Sequence, residues 1–406
     1  MTVVMEAVSL DNMLLPVEIL EKVFCLLPPQ DLKSAVRVCR WWREVGEAPR
    51  FWTWACFKVD CHLYSAPILR EMFASRRLHS VKKRLKVRSD FGVRSNEVAV
   101  LEVLLPAVAG RPGLLESLDL GGLSGLGGPD YDHAIKLYEV DANVLAQAVI
   151  HLVEVDFSNR SYRNQTLGLV FNEIHKKHLN AIFAALLDNS SLLKRLKMYC
   201  VDLSFVDEQI MARVINKLEE VDLTGADMTS QQATALFTLM IKNSNLKKFN
   251  LGTVWRTGPT PIDGVNPDLL AKALTHLEEV KLPPPLNSKH AKAIFATLDA
   301  SHGRLKRLDI SGNRSTYNHN DLSSVDAALI GNVVNKMETV DIRYTNLTVP
   351  QITAILTQSL VATSLKKILI VGDETGKFRR QTKKMTKLLA RAMQVIPITD
   401  FREPNH

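Results

Sequence analysis

The sequence predicts an α/β fold, a solenoid of parallel strands and helices preceded by a small three-helix module. A six-residue phrase of spaced large apolar residues recurs between residues 115 and 370, and most copies follow an amphipathic helical stripe. Ahead of it, about forty residues hold three short helical patterns punctuated by prolines. The expected organisation is a flexible N-terminus at 1–14, the helical module at 15–55, a linker and solenoid cap at 56–110, repeats at 111–371, and a basic capping helix and tail at 372–406.

Composition bounds the function classes. With 406 residues, 46% of them hydrophobic, the chain can bury a large core. Its longest apolar run, Leu101 to Val108, is interrupted by Glu102 and Pro106 and falls far short of the ~20 residues a spanning helix needs, so no membrane partner is expected. The N-terminal MTVVMEAVSLDNM lacks a basic region and carries Glu6 and Asp11, which argues against secretion and for the cytoplasm or nucleus. Five cysteines (Cys25, Cys39, Cys56, Cys61 and Cys200) form no disulfide or zinc pattern and read as reduced thiols. The net charge of +8 suits an acidic partner or nucleic acid and says nothing about fold.

In the segment from Leu15 to Trp52, Leu20, Val23, Phe24 and Leu27 form one helical stripe, with Pro16 in the first turn and Pro28-Pro29 as the stop. A second helix starts near Gln30-Asp31 with Leu32, Ala35, Val36 and Cys39 as its apolar face. A third spans Trp41 to Val45. Three helices of this length bury too little for independent stability without a metal or disulfide, so the surface calls for completion by another chain or by the rest of the protein.

These residues resemble the F-box family: Leu15-Pro16, Glu18-Ile19-Leu20, Val23-Phe24, Leu27, Asp31-Leu32, Val38-Cys39-Arg40, Trp42-Arg43 and Phe51-Trp52 stand where its pattern places such residues, while Trp41 departs from it. The resemblance implies binding to a Skp-family adaptor and through it a cullin. It places Leu15, Pro16, Ile19, Leu20, Val23, Leu27 and Leu32 on the adaptor surface.

The recurring phrase reads LESLDL (115–120), LVEVDF (152–157), LKRLKM (193–198), LEEVDL (218–223), LKKFNL (246–251), LEEVKL (277–282), LKRLDI (305–310), METVDI (337–342) and LKKILI (365–370). This is the strand pattern of a leucine-rich repeat. Two kinds alternate. One follows helices such as DEQIMARVINK, NPDLLAKALTH and DAALIGNVVNK; the other follows HLNAIFAALL, QATALFTLMI, HAKAIFATLD and QITAILTQSL. The unit is therefore a pair of about sixty residues, resembling the ribonuclease-inhibitor type. The asparagine position after the strand holds Ala226, Val254, Asn313 or Thr345, so its asparagine ladder is expected to be mostly absent.

Strand side chains alternate faces, so the third and fifth positions of each phrase point away from the core. They run Glu154/Asp156, Arg195/Lys197, Glu220/Asp222, Lys248/Asn250, Glu279/Lys281 and Arg307/Asp309, alternating largely in sign. Such rows pair across strands; they also make a mixed-charge face for a protein substrate. Arg195, Lys197 and Lys248 are its candidate contacts, with Tyr199, Trp255, Tyr317 and Tyr344 as aromatic anchors.

Longer segments at 121–141, 158–177, 252–266 and 312–323 suit recognition. GGLSGLGG lacks the Lys-Ser/Thr ending of a phosphate loop, and His175 and His178 read as a loop pair without a third ligand, so no cofactor, metal or catalytic site is expected. In the basic run 76–88, Val81, Leu85 and Val87 suggest a buried edge strand or linker helix, and the stripe Met385, Leu388, Leu389, Ala392 and Ile396 suggests a capping helix. The F-box resemblance implies a non-catalytic substrate receptor of a ubiquitin ligase. A repeat scaffold outside any ligase, or nucleic-acid binding through Lys82, Lys83, Arg84 and Lys86, are the alternatives.

Overall fold

The computed structural model describes residues 15–27, 31, 34–46, 56–60, 67, 84–88, 96–110, 115–122, 140–158, 176–188, 190–199, 201–252, 260–301, 303–312, 320–360 and 364–370, with backbone alone at 56–60, 84–88, 96–98 and 121–122. The N-terminal segment, the basic tail, and the residues Leu32, Cys61, His175, Cys200, Trp255 and Tyr317 lie outside this set.

Two helices of the first module are α1 (Val17–Leu26) and α2 (Arg40–Gly46). Pro16 fits the N-cap because its missing N–H is not needed there, and its carbonyl accepts from the amides of Ile19 and Leu20 at 3.0 Å. Leu20, Phe24, Ala35 and Val45 form the module's own core, flanked by Val17, Leu27, Val36, Trp41 and Trp42. Phe24 meets Trp42 edge-on, with ring centroids 5.6 Å apart. Gly46 allows this closeness: a Cβ there would collide with Val36 and lie 2.8 Å from Phe24 Cε2. Cys39, expected on an apolar face, is exposed, and its Sγ instead accepts from the Trp42 amide at 3.4 Å.

The rest of the described residues are built on one parallel sheet, with eleven strands among them in sequence order. The strands β1 (Cys56–Asp60) and β2 (Arg84–Arg88) precede the nine foreseen: β3 (Ser117–Gly122), β4 (Glu154–Asp156), β5 (Arg195–Lys197), β6 (Glu220–Asp222), β7 (Lys248–Asn250), β8 (Glu279–Lys281), β9 (Arg307–Asp309), β10 (Thr339–Asp341) and β11 (Lys367–Leu369). The basic run was expected to supply an edge strand or a helix. Its β2 portion is instead an interior strand, paired with β1 on one side and β3 on the other, with a register shift between Lys86 and Arg88. The sheet thus extends into the segment foreseen as linker and cap.

Helices cover one face of the sheet: α3 (Asn96–Ala109), α4 (Ala142–Ile150), α5 (Lys176–Leu186), α6 (Glu208–Lys217), α7 (Ser230–Lys242), α8 (Pro267–Leu274), α9 (Ser288–Ala300), α10 (Ala327–Lys336) and α11 (Val349–Ser359). The expected stripes lie inward: Leu179, Ile182, Phe183 and Leu186, then Ala233, Leu236, Phe237 and Met240, then Ala291, Ile294, Phe295 and Leu298 are all buried. They meet the middle residue of each strand, from Leu118 and Val155 to Val340 and Ile368, in one continuous core. Phe249 of β7 packs edge-on against Phe237 of α7 with centroids 6.0 Å apart. Helices pack closely within the pairs α4–α5, α6–α7, α8–α9 and α10–α11, and much more sparingly between them.

The two helix kinds start differently. Asp141, Asp207, Asn266 and Asp326 cap α4, α6, α8 and α10, each side chain accepting from two first-turn amides. The helices α5, α7, α9 and α11 each bury a polar residue at their start. His178 Nε2 and His290 Nε2 reach the carbonyls of Val140 and Val265 at 2.8 and 2.9 Å. Gln232 Nε2 donates to Leu203 O at 2.8 Å and Val206 O at 2.6 Å, and Gln351 Nε2 donates to Leu322 O and Val325 O, both at 2.6 Å. These side chains stitch each helix to the loop before its pair partner. His178 is therefore a buried helical residue, not part of a loop pair. Asn320, also buried, donates to Ile310 O at 2.5 Å and accepts from the Leu286 amide.

Candidate interaction surfaces

Two surfaces offer themselves to partners, one on the helical module and one on the open face of the sheet. On α1 the apolar residues split into two stripes. Leu20 and Phe24 point inward with Leu27 half-buried beside them, whereas Ile19, Val23 and Leu26, spaced four and three apart, lie on a neighbouring face at 44%, 39% and 84% exposure. Leu15 just before the helix is 44% exposed and extends that stripe. Of the adaptor candidates, then, Leu15, Pro16, Ile19 and Val23 face solvent, Leu27 supports the core, and Leu20 at 0% exposure belongs to the interior. Leu26 was missed. The signal was present in its spacing from Ile19 and Val23, which a single-stripe reading of the helix overlooks.

An exposed apolar stripe adds no folding energy to the module. It gains by removal from water, at roughly 25 cal/mol per Å² of apolar area covered. Trp41 packs half-buried on the same core, with its indole Nε1 buried and lacking an acceptor among the described residues.

On the sheet, the alternation of faces is as the strands demand. Leu196, Val221, Phe249, Val280 and Leu308 are at most 3% exposed, and the flanking residues lie on the open face. The rows of alternating charge are internally paired. Glu154 takes both Arg195 (3.1 Å) and Lys197 (2.9 Å), Glu220 takes Lys248 (2.7 Å), Glu279 takes Arg307 (3.1 Å), and Lys281 takes Asp309 (3.0 Å). A further row at the strand starts repeats the pattern, with Glu219 between Lys194 and Lys247 at 3.0 and 3.1 Å. The candidate cations Arg195, Lys197 and Lys248 therefore already have partners.

Burial pushes the Glu154 carboxyl upward, but the hydrogen bonds and charges of Lys197 and Arg195 outweigh it, and its pKa ends below the usual glutamate range. Burial likewise pulls Lys197 down, and the bond and charge of Glu154, helped by Asp156 and Asp222, leave it raised. The two shifts agree in describing a pair that favours both charges.

The fifth position of the phrase has a second duty. The side chains of Asp156, Asp222, Asn250, Asp309 and Asp341 each accept from the amide two residues later, at 2.8, 3.0, 2.9, 2.9 and 3.2 Å, turning the chain out of the strand. Because all strands are parallel, every such turn lies along one edge of the sheet. The long segments foreseen for recognition start from this edge, after β3, β4, β7 and β9. Tyr199 and Tyr344, both half-buried, follow β5 and β10 there; Trp255 and Tyr317 belong to segments outside the described residues. Exposed Phe205, with Lys176 Nζ 5.4 Å from its ring centroid, joins the same edge.

On the helical side, Glu208, Gln209, Ser230, Thr234, Thr238 and Lys242 line an open groove along α7. The Thr234 and Thr238 hydroxyls donate to carbonyls one turn back, at 2.8 and 2.7 Å, so these hydroxyls serve the helix itself. No helix among the described residues is long and apolar enough to cross a membrane.

Residues 13–58 match the F-box-like family. No curated protein matches the chain. Among solved structures, the leucine-rich repeat-containing protein LegL7 from Legionella pneumophila is similar at 15% sequence identity and a TM-score of 0.37, the match covering 71% of this chain and 83% of that one.

Proposed function

We propose that this chain is the substrate receptor of a ubiquitin ligase of the Skp–cullin–F-box kind, its helical module docked on a Skp-family adaptor and its repeats holding a protein to be ubiquitinated. The observation that carries this reading is the exposed stripe of Leu15, Ile19, Val23 and Leu26 on a module of the F-box-like family. F-box domains generally bind Skp-family adaptors, and an undersized helical core with an apolar outer face is what a partner-completed fold requires. Ubiquitin transfer is assigned to the partners, and the cullin is reached through the adaptor. The target is assigned to the repeats because a rigid parallel sheet whose open face carries paired charges presents a large surface.

The test is direct. The full chain and a purified Skp-family adaptor should co-elute from a sizing column. The double substitution Ile19→Asp/Val23→Asp should abolish that complex while leaving the melting of the repeats unchanged, since neither side chain contributes to either core. Failure of the wild-type chain to bind any Skp-family adaptor would end the assignment.

A further inference from the structure

Across the open face, charges alternate from strand to strand, and the alternation fails at one place. In the third position of the phrase, carboxylate and cation take turns from Glu154 on β4 to Arg307 on β9, each in register with the next. The row then continues with Thr339 on β10 and Lys367 on β11. A neutral side chain thus stands between two cations, in a setting that Glu220 and Glu279 fill with a carboxylate on earlier strands.

The solenoid contains its own comparison. Over β5 to β7, the second and third positions carry Lys194, Arg195, Lys247 and Lys248 around Glu219 and Glu220. Over β9 to β11 they carry Lys306, Arg307, Lys366 and Lys367 around Glu338 and Thr339. The second set lacks one carboxylate and keeps every cation. Lys248 finds Glu220 at 2.7 Å, whereas its counterpart Lys367 makes no ion pair among the described residues. The Thr339 hydroxyl makes no hydrogen bond among them either. Thr339 and Lys367 are half-buried and Arg307 is exposed, so the gap is open to a partner.

The acidic groups nearest the gap are already engaged. Lys366 donates to Glu338 at 2.7 Å, and this bond, with the charges of Lys366, Lys306 and Arg307, holds the Glu338 carboxyl below the usual glutamate range. Glu279 takes Arg307 at 3.1 Å from the side away from Thr339. Two residues further along the strands, Asp341 is buried and clamped by Arg343 at 2.7 Å, Asp309 is met by Lys281 at 3.0 Å, and Leu369 carries no charge. The charge left over is therefore positive. What an anion could do between two such strands is shown by Glu219, which reaches Lys194 and Lys247 on its two neighbours at 3.0 and 3.1 Å.

We propose that the gap at Thr339 is a specificity-determining subsite that receives a carboxylate side chain, aspartate or glutamate, of the protein bound by the repeats, between Lys367 and Arg307. The partner then completes a row of charges that the sheet leaves unfinished. This rests on the reading that the repeats hold a protein, and it is tested apart from the adaptor.

The full chain is panned against a random linear peptide phage library, and the selected peptides are titrated onto the wild type, Lys367→Gln, Thr339→Gln and Thr339→Glu. Urea unfolding and adaptor binding are measured on the same samples. The peptides should share an acidic position. Thr339→Glu, which fills the gap from within, should weaken them about tenfold or more, and Lys367→Gln about threefold. Thr339→Gln should keep the affinity. Thr339→Glu should also unfold at a higher urea concentration than Thr339→Gln, because only the carboxylate restores the cross-strand pairs. All variants should bind the adaptor as the wild type does. Equal urea midpoints for these two variants would overturn the proposal. So would a library yielding no peptide with an acidic position, or peptides indifferent to Thr339→Glu. Phosphoserine at the acidic position that binds more tightly than glutamate would replace the carboxylate assignment with a phosphate one. A wild-type chain that fails to bind the adaptor but selects acidic peptides sensitive to Thr339→Glu would sink the ligase reading and leave this one standing.

Discussion

Replacing Gln232 tests how the repeat pairs are held. The side chain is 2% exposed, its Nε2 serves the carbonyls of Leu203 and Val206, and its Oε1 accepts from the Thr229 amide at 2.8 Å. Gln232→Ala removes all three bonds and opens a small cavity beneath the start of α7. Leu203 O keeps a second donor, the Val206 amide at 2.9 Å, which leaves Val206 O and the Thr229 amide as the groups hurt most. At about 1–3 kcal/mol for each buried group left unsatisfied, the loss should be about 3–4 kcal/mol. Gln232→His should cost about half as much, because imidazoles at His178 and His290 serve one carbonyl each from the equivalent position. Native-state hydrogen exchange read on the α6–α7 amides gives the opening free energy of this pair, and Gln351→Ala in α10–α11 supplies an independent copy. A change below about 1 kcal/mol in both alanine variants would mean that water replaces the side chain at little cost, and the reasoning would be wrong.

Two further expectations follow from the charges and the glycine. Since the folded-state pKa of Glu154 lies below its unfolded value, its contribution is present above the ordinary glutamate pKa and is lost as pH falls through the depressed one. Glu154→Gln should therefore flatten the acid limb of the stability–pH curve, and an unchanged limb in urea titrations would refute the pairing with Arg195 and Lys197. Gly46→Ala places a methyl group against Val36 and Phe24 and should destabilise the helical module by about 1–3 kcal/mol in spite of alanine's better helix propensity. Faster limited proteolysis of the module in the full chain is the measurement, with an unaltered cleavage rate as the contrary result.

Much of the fold was legible because the phrase LxxLxL and the helical stripes that precede it set two periodicities, and stacking the units in parallel buries both in one core. The strand β1 escaped notice although Trp54, Phe57 and Val59 keep the spacing of the phrase, and β2 was read as an edge strand or helix because Lys82 stands where the phrase has its leading large apolar residue. The polar clamps escaped for a different reason. Gln232, Gln351 and His290 look like surface residues in a sequence, and only the carbonyls that converge on them from the preceding loop make burial favourable. The strand-ending aspartates were read as part of a charged face, whereas their carboxylates also fix the turn. The stripe on α1 illustrates the limit of periodicity: Leu20 and Val23 share a helical half, but Leu20 is buried and Val23 is exposed.

The unequal contact between neighbouring helices makes the chain a string of two-repeat blocks and not a uniform rod. A gene rearrangement that adds or removes one whole block would join a strand and a helix start to the partners they already know, whereas the gain or loss of a single repeat would seat two helices of one kind side by side, with the stitching glutamine or histidine facing no waiting carbonyl. Growth and shrinkage of this solenoid should therefore proceed in even steps.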